Sequence, residues 1–200
     1  MDNRDMLNKV INAWEHLMKY KYNMVFGRKG QRFVVDIIAR KSDFCHLLGV
    51  HYLKDIPKDT FASNAEQIFD DIKNNVRGTF DLIVLSKNFN NIRNRIEAII
   101  NFEQFLESSN GNYYKFVMCT NYNYTKIKYD YLMIYEKDND KYHYFLINTR
   151  MIQNEFKLMS SFIENNHDYS ARQSKLTLLE INRIDENGIL NLYKKEKVIK

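Results

Sequence analysis

Near the N-terminus, apolar residues recur every three or four positions: Met6, Leu7, Val10, Ile11, Trp14, Leu17 and Met18. That period predicts an amphipathic helix within residues 1–19, with Asp2 or Asn3 placed to cap it. The pattern then changes to two β-rich runs, residues 22–26 and 32–38, on either side of the Gly27-Arg28-Lys29-Gly30 turn, and these predict a hairpin. Ser42 can cap a short helix over residues 43–48, which Gly49 would stop in the left-handed C′ conformation. Residues 64–74 follow as a helix, with Ala65, Ile68, Phe69 and Ile72 on one face. A longer helix is expected over residues 88–108, opened by Ser86 and carrying Phe89, Ile92, Ile96, Ile99 and Leu106 as its apolar stripe. Arg95 falls inside that stripe, three residues after Ile92 and four before Ile99, a place where a charge is unexpected.

From residue 113 the chain turns to β character. Runs over 113–120 and 130–136 are aromatic and β-branched, and Asp138-Asn139-Asp140 makes a turn into 142–149. Residues 151–165 are expected to be helical. A last hairpin joins 176–184 to 189–193 through Asp185-Glu186-Asn187-Gly188, an Asn-Gly turn signal. Helices mostly precede strands, so the fold class is α+β, with N-terminal helices packed on a small antiparallel β-sheet. With one proline and six glycines no linker divides the chain, and residues 1–200 read as one domain.

Composition adds to this picture. The chain is 44% hydrophobic and 14% aromatic, ample for a core. Its formal charge is +5, a mild bias toward polyanionic partners, since lysine and arginine displace the counterions condensed on phosphates. Cys45 and Cys119 sit in apolar stretches as small hydrophobes, and no CxxC or CxxH pair suggests zinc. No secretory leader and no apolar run of membrane-spanning length is visible, so a cytoplasmic location is expected.

The stretch richest in chemistry is Phe44-Cys45-His46-Leu47-Leu48-Gly49-Val50-His51-Tyr52-Leu53-Lys54-Asp55-Ile56. On an uninterrupted helix its two histidines would point about 140° apart, and they become neighbours only if the chain turns at Gly49. Histidine titrates near neutrality, which suits proton transfer at a ribose 2′-hydroxyl; a lone histidine in an apolar stretch is more often a hydrogen-bonded core residue.

The arrangement over residues 44–56 resembles the signature of the phage-type barnase–EndoU–colicin–RelE-like nucleases, specifically their fourth phage subgroup. The likeness continues through Ser86 and Asn94-Arg95-Ile96, through Thr125-Lys126-Ile127-Lys128, and to Asp168-Tyr169-Ser170-Ala171-Arg172, covering about residues 20–182. Val50 stands where the family pattern has a larger leucine, a conservative change. The resemblance implies helices packed on an antiparallel sheet whose concave face holds the site, and RNA cleavage without a metal or other cofactor.

That chemistry needs a base for the 2′-hydroxyl proton, an acid for the leaving 5′-oxygen, and cations around the phosphorane. His46 and His51 are the proton-transfer candidates, with the roles of acid and base open between them. Arg95 and Lys126 are the candidate cations and Arg172 a third. The bland alternatives are an ion pair of Arg95 with a carboxylate such as Asp55 or Asp81, a solvated strand end for Lys126, and surface roles for Arg172 and Tyr169. Among the many tyrosines most alternate along strands and belong to packing; Tyr122 and Tyr124, with Tyr169, are the candidates for contact with RNA.

Three other signals are set aside. Asp138-Asn139-Asp140 starts like a calcium-binding loop, but His143 stands where glycine is due. Glu155-Phe156-Lys157 matches the short E-x-K motif of metal-dependent nucleases, yet lies in a segment expected to be helical. Gly27-Arg28-Lys29-Gly30 lacks the ending of a phosphate-binding loop. The expectation is therefore an endoribonuclease of the toxin or defence type. RNA, tRNA included, would be its partner, and a cognate inhibitor or host protein a second class of partner. The alternatives are a non-catalytic RNA-binding module and a phage-encoded module that binds a host protein.

Overall fold

The structure, a computed structural model, describes residues 1–61, 64–108, 110–115, 129–137, 141–149, 155–164 and 169–195. Helix α1 (Asn3–Leu17) buries Met6, Leu7, Val10, Ile11, Trp14 and Leu17 of the residues its periodicity selects, while Met18 is its half-buried C-cap. The Asp2 carboxylate caps its start by accepting from the Asp5 N–H at 2.8 Å. Strands β1 (Lys21–Arg28) and β2 (Gln31–Ile38) form the expected hairpin. Its two-residue turn places Lys29 and Gly30 both at positive φ, the geometry that matches strand twist. Helix α2 (Lys41–Leu48) follows, with Arg40 in the cap position, so Ser42 lies inside the helix instead of capping it. Asn64 caps α3 (Ala65–Lys73) by accepting from the Glu66 N–H.

Two features of the helical half differ from expectation. A further helix, α4 (Thr79–Leu85), stands after a turn with Asn75, Arg77 and Gly78 at positive φ. Its apolar positions Phe80 and Ile83 make too short a pattern to announce a helix. The long helix of 88–108 is two helices, α5 (Asn90–Ile100) and α6 (Phe102–Ser108). Asn101 ends the first by donating from its side-chain amide to the Glu97 carbonyl at 2.8 Å.

Strands β3 (Asn112–Lys115), β4 (Tyr131–Lys137), β5 (Lys141–Thr149), β6 (Phe156–Glu164), β7 (Ser174–Asp185) and β8 (Gly188–Lys194) complete the chain. The sheet is larger than expected: eight strands in the order β1-β2-β6-β5-β4-β3-β7-β8, with β1 also paired to β7. The order therefore runs back to its start, and every pairing is antiparallel except the short β2–β6 contact at Ile37 and Phe156. A mixed α/β architecture with a mostly antiparallel sheet stands, and the small sheet is corrected to this eight-stranded one.

β6 also corrects the helix expected over 151–165. A bulge explains the misreading: Leu158 lies opposite Ile147 and Ser160 opposite Leu146, which leaves Met159 unpaired and breaks the period of two. Phe156 and Leu158 face the main core, whereas Met159 and Phe162 pack on a second cluster. The apolar spacing of three that results imitates a helix. That second cluster, built on Tyr129, Leu132, Ile134, Tyr144, Leu146 and Tyr169, covers the other face of β4 and β5, so these strands are buried on both sides. No helix among the described residues is long and apolar enough to cross a membrane.

One polar cluster ties the helices to the sheet. Glu103 of α6 accepts from the Tyr22 hydroxyl at 3.1 Å and from Arg183 at 2.5 Å, and lies 2.9 Å from His16. Arg183 in turn covers the Tyr20 ring at 4.5 Å. Glu103→Leu should strand a guanidinium and a phenol, at a cost of about 2 kcal/mol. Thermal melting should then fall by roughly 5 °C, and an unchanged melting temperature would show that the cluster is not structural.

Candidate active site

Gly49 makes the site. Helix α2 ends there with φ 81° and ψ 34°, its N–H bonded to the Cys45 carbonyl, and a single 3-10 turn over Val50–Tyr52 follows at once. An L-residue rarely adopts this left-handed conformation. The reversal swings His51 back beside His46, so the two imidazoles lie 5.8 Å apart, ring centre to ring centre, and within 22° of parallel. His51 also contacts the Tyr52 ring at 4.1 Å. Both histidines and Tyr52 are exposed, so neither histidine is a core residue.

Arg95 reaches the same place from α5. Its guanidinium stands over the Tyr52 ring at 4.9 Å. It donates to the Leu47 carbonyl at 3.4 Å, the Ser160 hydroxyl at 3.3 Å and the Tyr52 hydroxyl at 3.4 Å. These bonds are long for N–H donors, and none of them goes to a carboxylate. The two alternative partners are occupied elsewhere. Asp55 accepts from Ser86, Asn88 and the Lys87 N–H, which hold its carboxyl at about 2. Asp81 accepts from Arg4 and Asn75. Burial disfavours the charged form of Arg95, yet guanidinium stays protonated in proteins. Among the described residues, then, no carboxylate pairs with this half-buried cation.

The electrostatics of the histidines follow. Burial, then Arg95, then Lys157 push His46 below its ordinary value, against a smaller upward pull from Asp43. Burial, His46, Arg95 and Lys54 push His51 down as well. Cationic side chains therefore surround both imidazoles, a setting that favours an anion.

Of the residues singled out in the sequence, His46, His51 and Arg95 converge. Lys126, Tyr122 and Tyr124 lie outside the described residues. Arg172 is exposed with φ 61° in the turn before β7. Tyr169 is a correction: it is 8% exposed and packs against Tyr144 and Phe162, so its ring is not open to a base.

Tyr52, Lys157, Lys54 and Ser160 were missed. Tyr52 was legible, since it adjoins His51; Lys157 and Ser160 were hidden by the misread strand. The same correction removes the helical argument against Glu155-Phe156-Lys157. What speaks against that motif now is an ion pair between Glu155 and Arg40, with Lys157 acting on His46. Among the described residues no three His, Cys, Asp or Glu side chains cluster as a metal site would require.

Beside the histidines opens a cavity of about 470 Å³ between α2, the following turn and α3. The sequence model of the family described as phage-Barnase-EndoU-ColicinE5/D-RelE like nuclease 4 matches residues 6–197. No curated protein and no solved structure matches the chain.

Proposed function

The chain belongs to this family of phage-type nucleases, and from that premise we propose that it is an endoribonuclease which cleaves RNA without a metal, through His46 and His51. The observation that carries the reading is the half-buried Arg95 guanidinium, with no carboxylate partner among the described residues and set beside two stacked imidazoles. A phosphodiester supplies the missing negative charge and brings its ribose to the histidines.

In the reaction one imidazole takes the 2′-hydroxyl proton as the 2′-oxygen attacks phosphorus. The other protonates the departing 5′-oxygen, leaving a 2′,3′-cyclic phosphate and a free 5′-hydroxyl. Arg95, with Lys157 and Lys54 nearby, stabilises the charge that builds on the phosphorane. Lys126, by the family likeness, is a further cation for the same phosphate. As a toxin or defence effector such an enzyme would act on cellular RNA, with tRNA a natural substrate and an inhibitor protein its natural restraint.

The test is incubation of the purified protein with single-stranded RNA, and with DNA of the same sequence, in EDTA. Cyclic-phosphate ends from RNA and intact DNA are the expected result. Cleavage that appears only with magnesium would overturn the metal-free mechanism. Intact RNA under every condition would favour a binding module for RNA or a host protein.

The pH profile gives a second check. A neutral base and a protonated acid must coexist, and both imidazoles lie below the ordinary 6.5. The singly protonated pair is therefore most populated below pH 6.5. Because kcat/KM reports the free enzyme, it should peak there and fall as pH rises. A maximum on the alkaline side of neutrality would sink the assignment of this pair.

A further inference from the structure

The cavity beside the histidines has a divided lining. Its buried and half-buried lining is mostly apolar, with Val50, Leu53, Phe61, Ala65 and Ile68, and its exposed lining includes His46, His51, Lys54 and Lys58. Among the described residues, none that lines it is acidic. Cys45 contributes a wall and not a nucleophile: burial pushes its thiol up to about 12, and the S–H points to the Ala65 carbonyl at 3.9 Å. At about 470 Å³ the space falls in the range of small-ligand sites.

From this juxtaposition we infer that the cavity is a nucleobase subsite: it takes one unstacked base of single-stranded RNA whose 3′-phosphate lies on Arg95. The inference rests on reading the histidine site as a phosphodiester site. Three features select that occupant. The cavity and the histidine site share His46 and His51, so whatever fills one is adjacent to whatever binds the other. An apolar lining beside cationic side chains matches a flat, uncharged ring on an anionic backbone. Phe61 supplies an aromatic wall of the kind on which bases stack. A paired base cannot enter, because it would have to leave its helix first, so the subsite restricts cutting to unpaired RNA.

The experiment is calorimetric binding of inorganic phosphate and of the four nucleoside 3′-monophosphates to the full chain. At least one nucleotide should bind roughly tenfold or more tighter than phosphate, the gain expected from stacking one base. Ile68→Trp fills the interior and Ala65→Leu narrows it; each should bring the nucleotide back toward the phosphate value and leave phosphate binding unchanged. Nucleotides no tighter than phosphate would overturn the inference, as would a preference that survives both substitutions. If both variants fail to fold, the wild-type comparison decides alone.

The outcome separates from that of the nuclease reading. A nucleotide preference in a protein that never cuts RNA would defeat the nuclease and keep the subsite. Cleavage without any nucleotide preference would do the reverse.

Discussion

Alanine at both His46 and His51 should lower the single-turnover rate of RNA cleavage by a factor on the order of 10³, within the range that acid–base groups supply. Either single replacement should cost nearly as much, because two groups that share one proton inventory act as a unit and their losses do not multiply. Two companion measurements show whether the loss is chemical. Measured above pH 7, where both imidazoles are neutral, RNA affinity should stay near wild type, since Arg95, Lys54 and Lys157 remain. Melting should also barely move, since both side chains are exposed and surface replacements usually change stability by less than about 0.5 kcal/mol. A double variant that still cuts at the wild-type rate would remove the histidines from the mechanism. A rate that falls only in step with unfolding would do the same.

His46 and His51 are five positions apart, a spacing that separates them on any continuous helix. The glycine between them is the signal: it permits the left-handed residue that folds one back on the other, and the structure has that residue at φ 81°. Arg95 was visible for the opposite reason, as a charge in the middle of an apolar stripe. Local rules carried both.

What stayed hidden depended on long-range pairing. β6 looks helical because a single bulged residue, Met159, shifts its apolar positions from one face of the sheet to the other, and no local pattern marks a bulge. With the strand misread, Lys157 and Ser160 could not be placed, although the first acts on His46 and the second holds Arg95. The closing of the sheet through β1 and β7 is of the same kind, since it joins strands about 150 residues apart that no turn connects. Tyr169 failed differently. Its aromatic character was legible, but whether a tyrosine faces solvent or a second cluster is settled by strands β5 and β6 around it.

Gly49→Ala should then damage activity far more than stability. Alanine can occupy the left-handed conformation at a cost of roughly 1 kcal/mol, which a chain of this size tolerates. Its Cβ, however, would stand 2.8 Å from Arg95 Cδ and 2.9 Å from the Tyr52 ring. Both lie on side chains that can move, so the strain is relieved by displacing the guanidinium and the ring it covers. A loss of about 10²-fold in kcat is expected, the scale of removing one aimed electrostatic group, with melting lowered by only a few degrees. Arg95→Lys is the partner experiment. It keeps the charge but has neither the planar fork that reaches Ser160 and Leu47 through one nitrogen and the Tyr52 hydroxyl through the other, nor the face that stacks on Tyr52. It should therefore fall close to Arg95→Ala in rate while binding RNA more tightly than the alanine variant does. If Gly49→Ala were as active as the wild type, the close approach of Arg95 to this turn would have no catalytic purpose. If Arg95→Lys restored full turnover, the site would need a positive charge and not the geometry of a guanidinium.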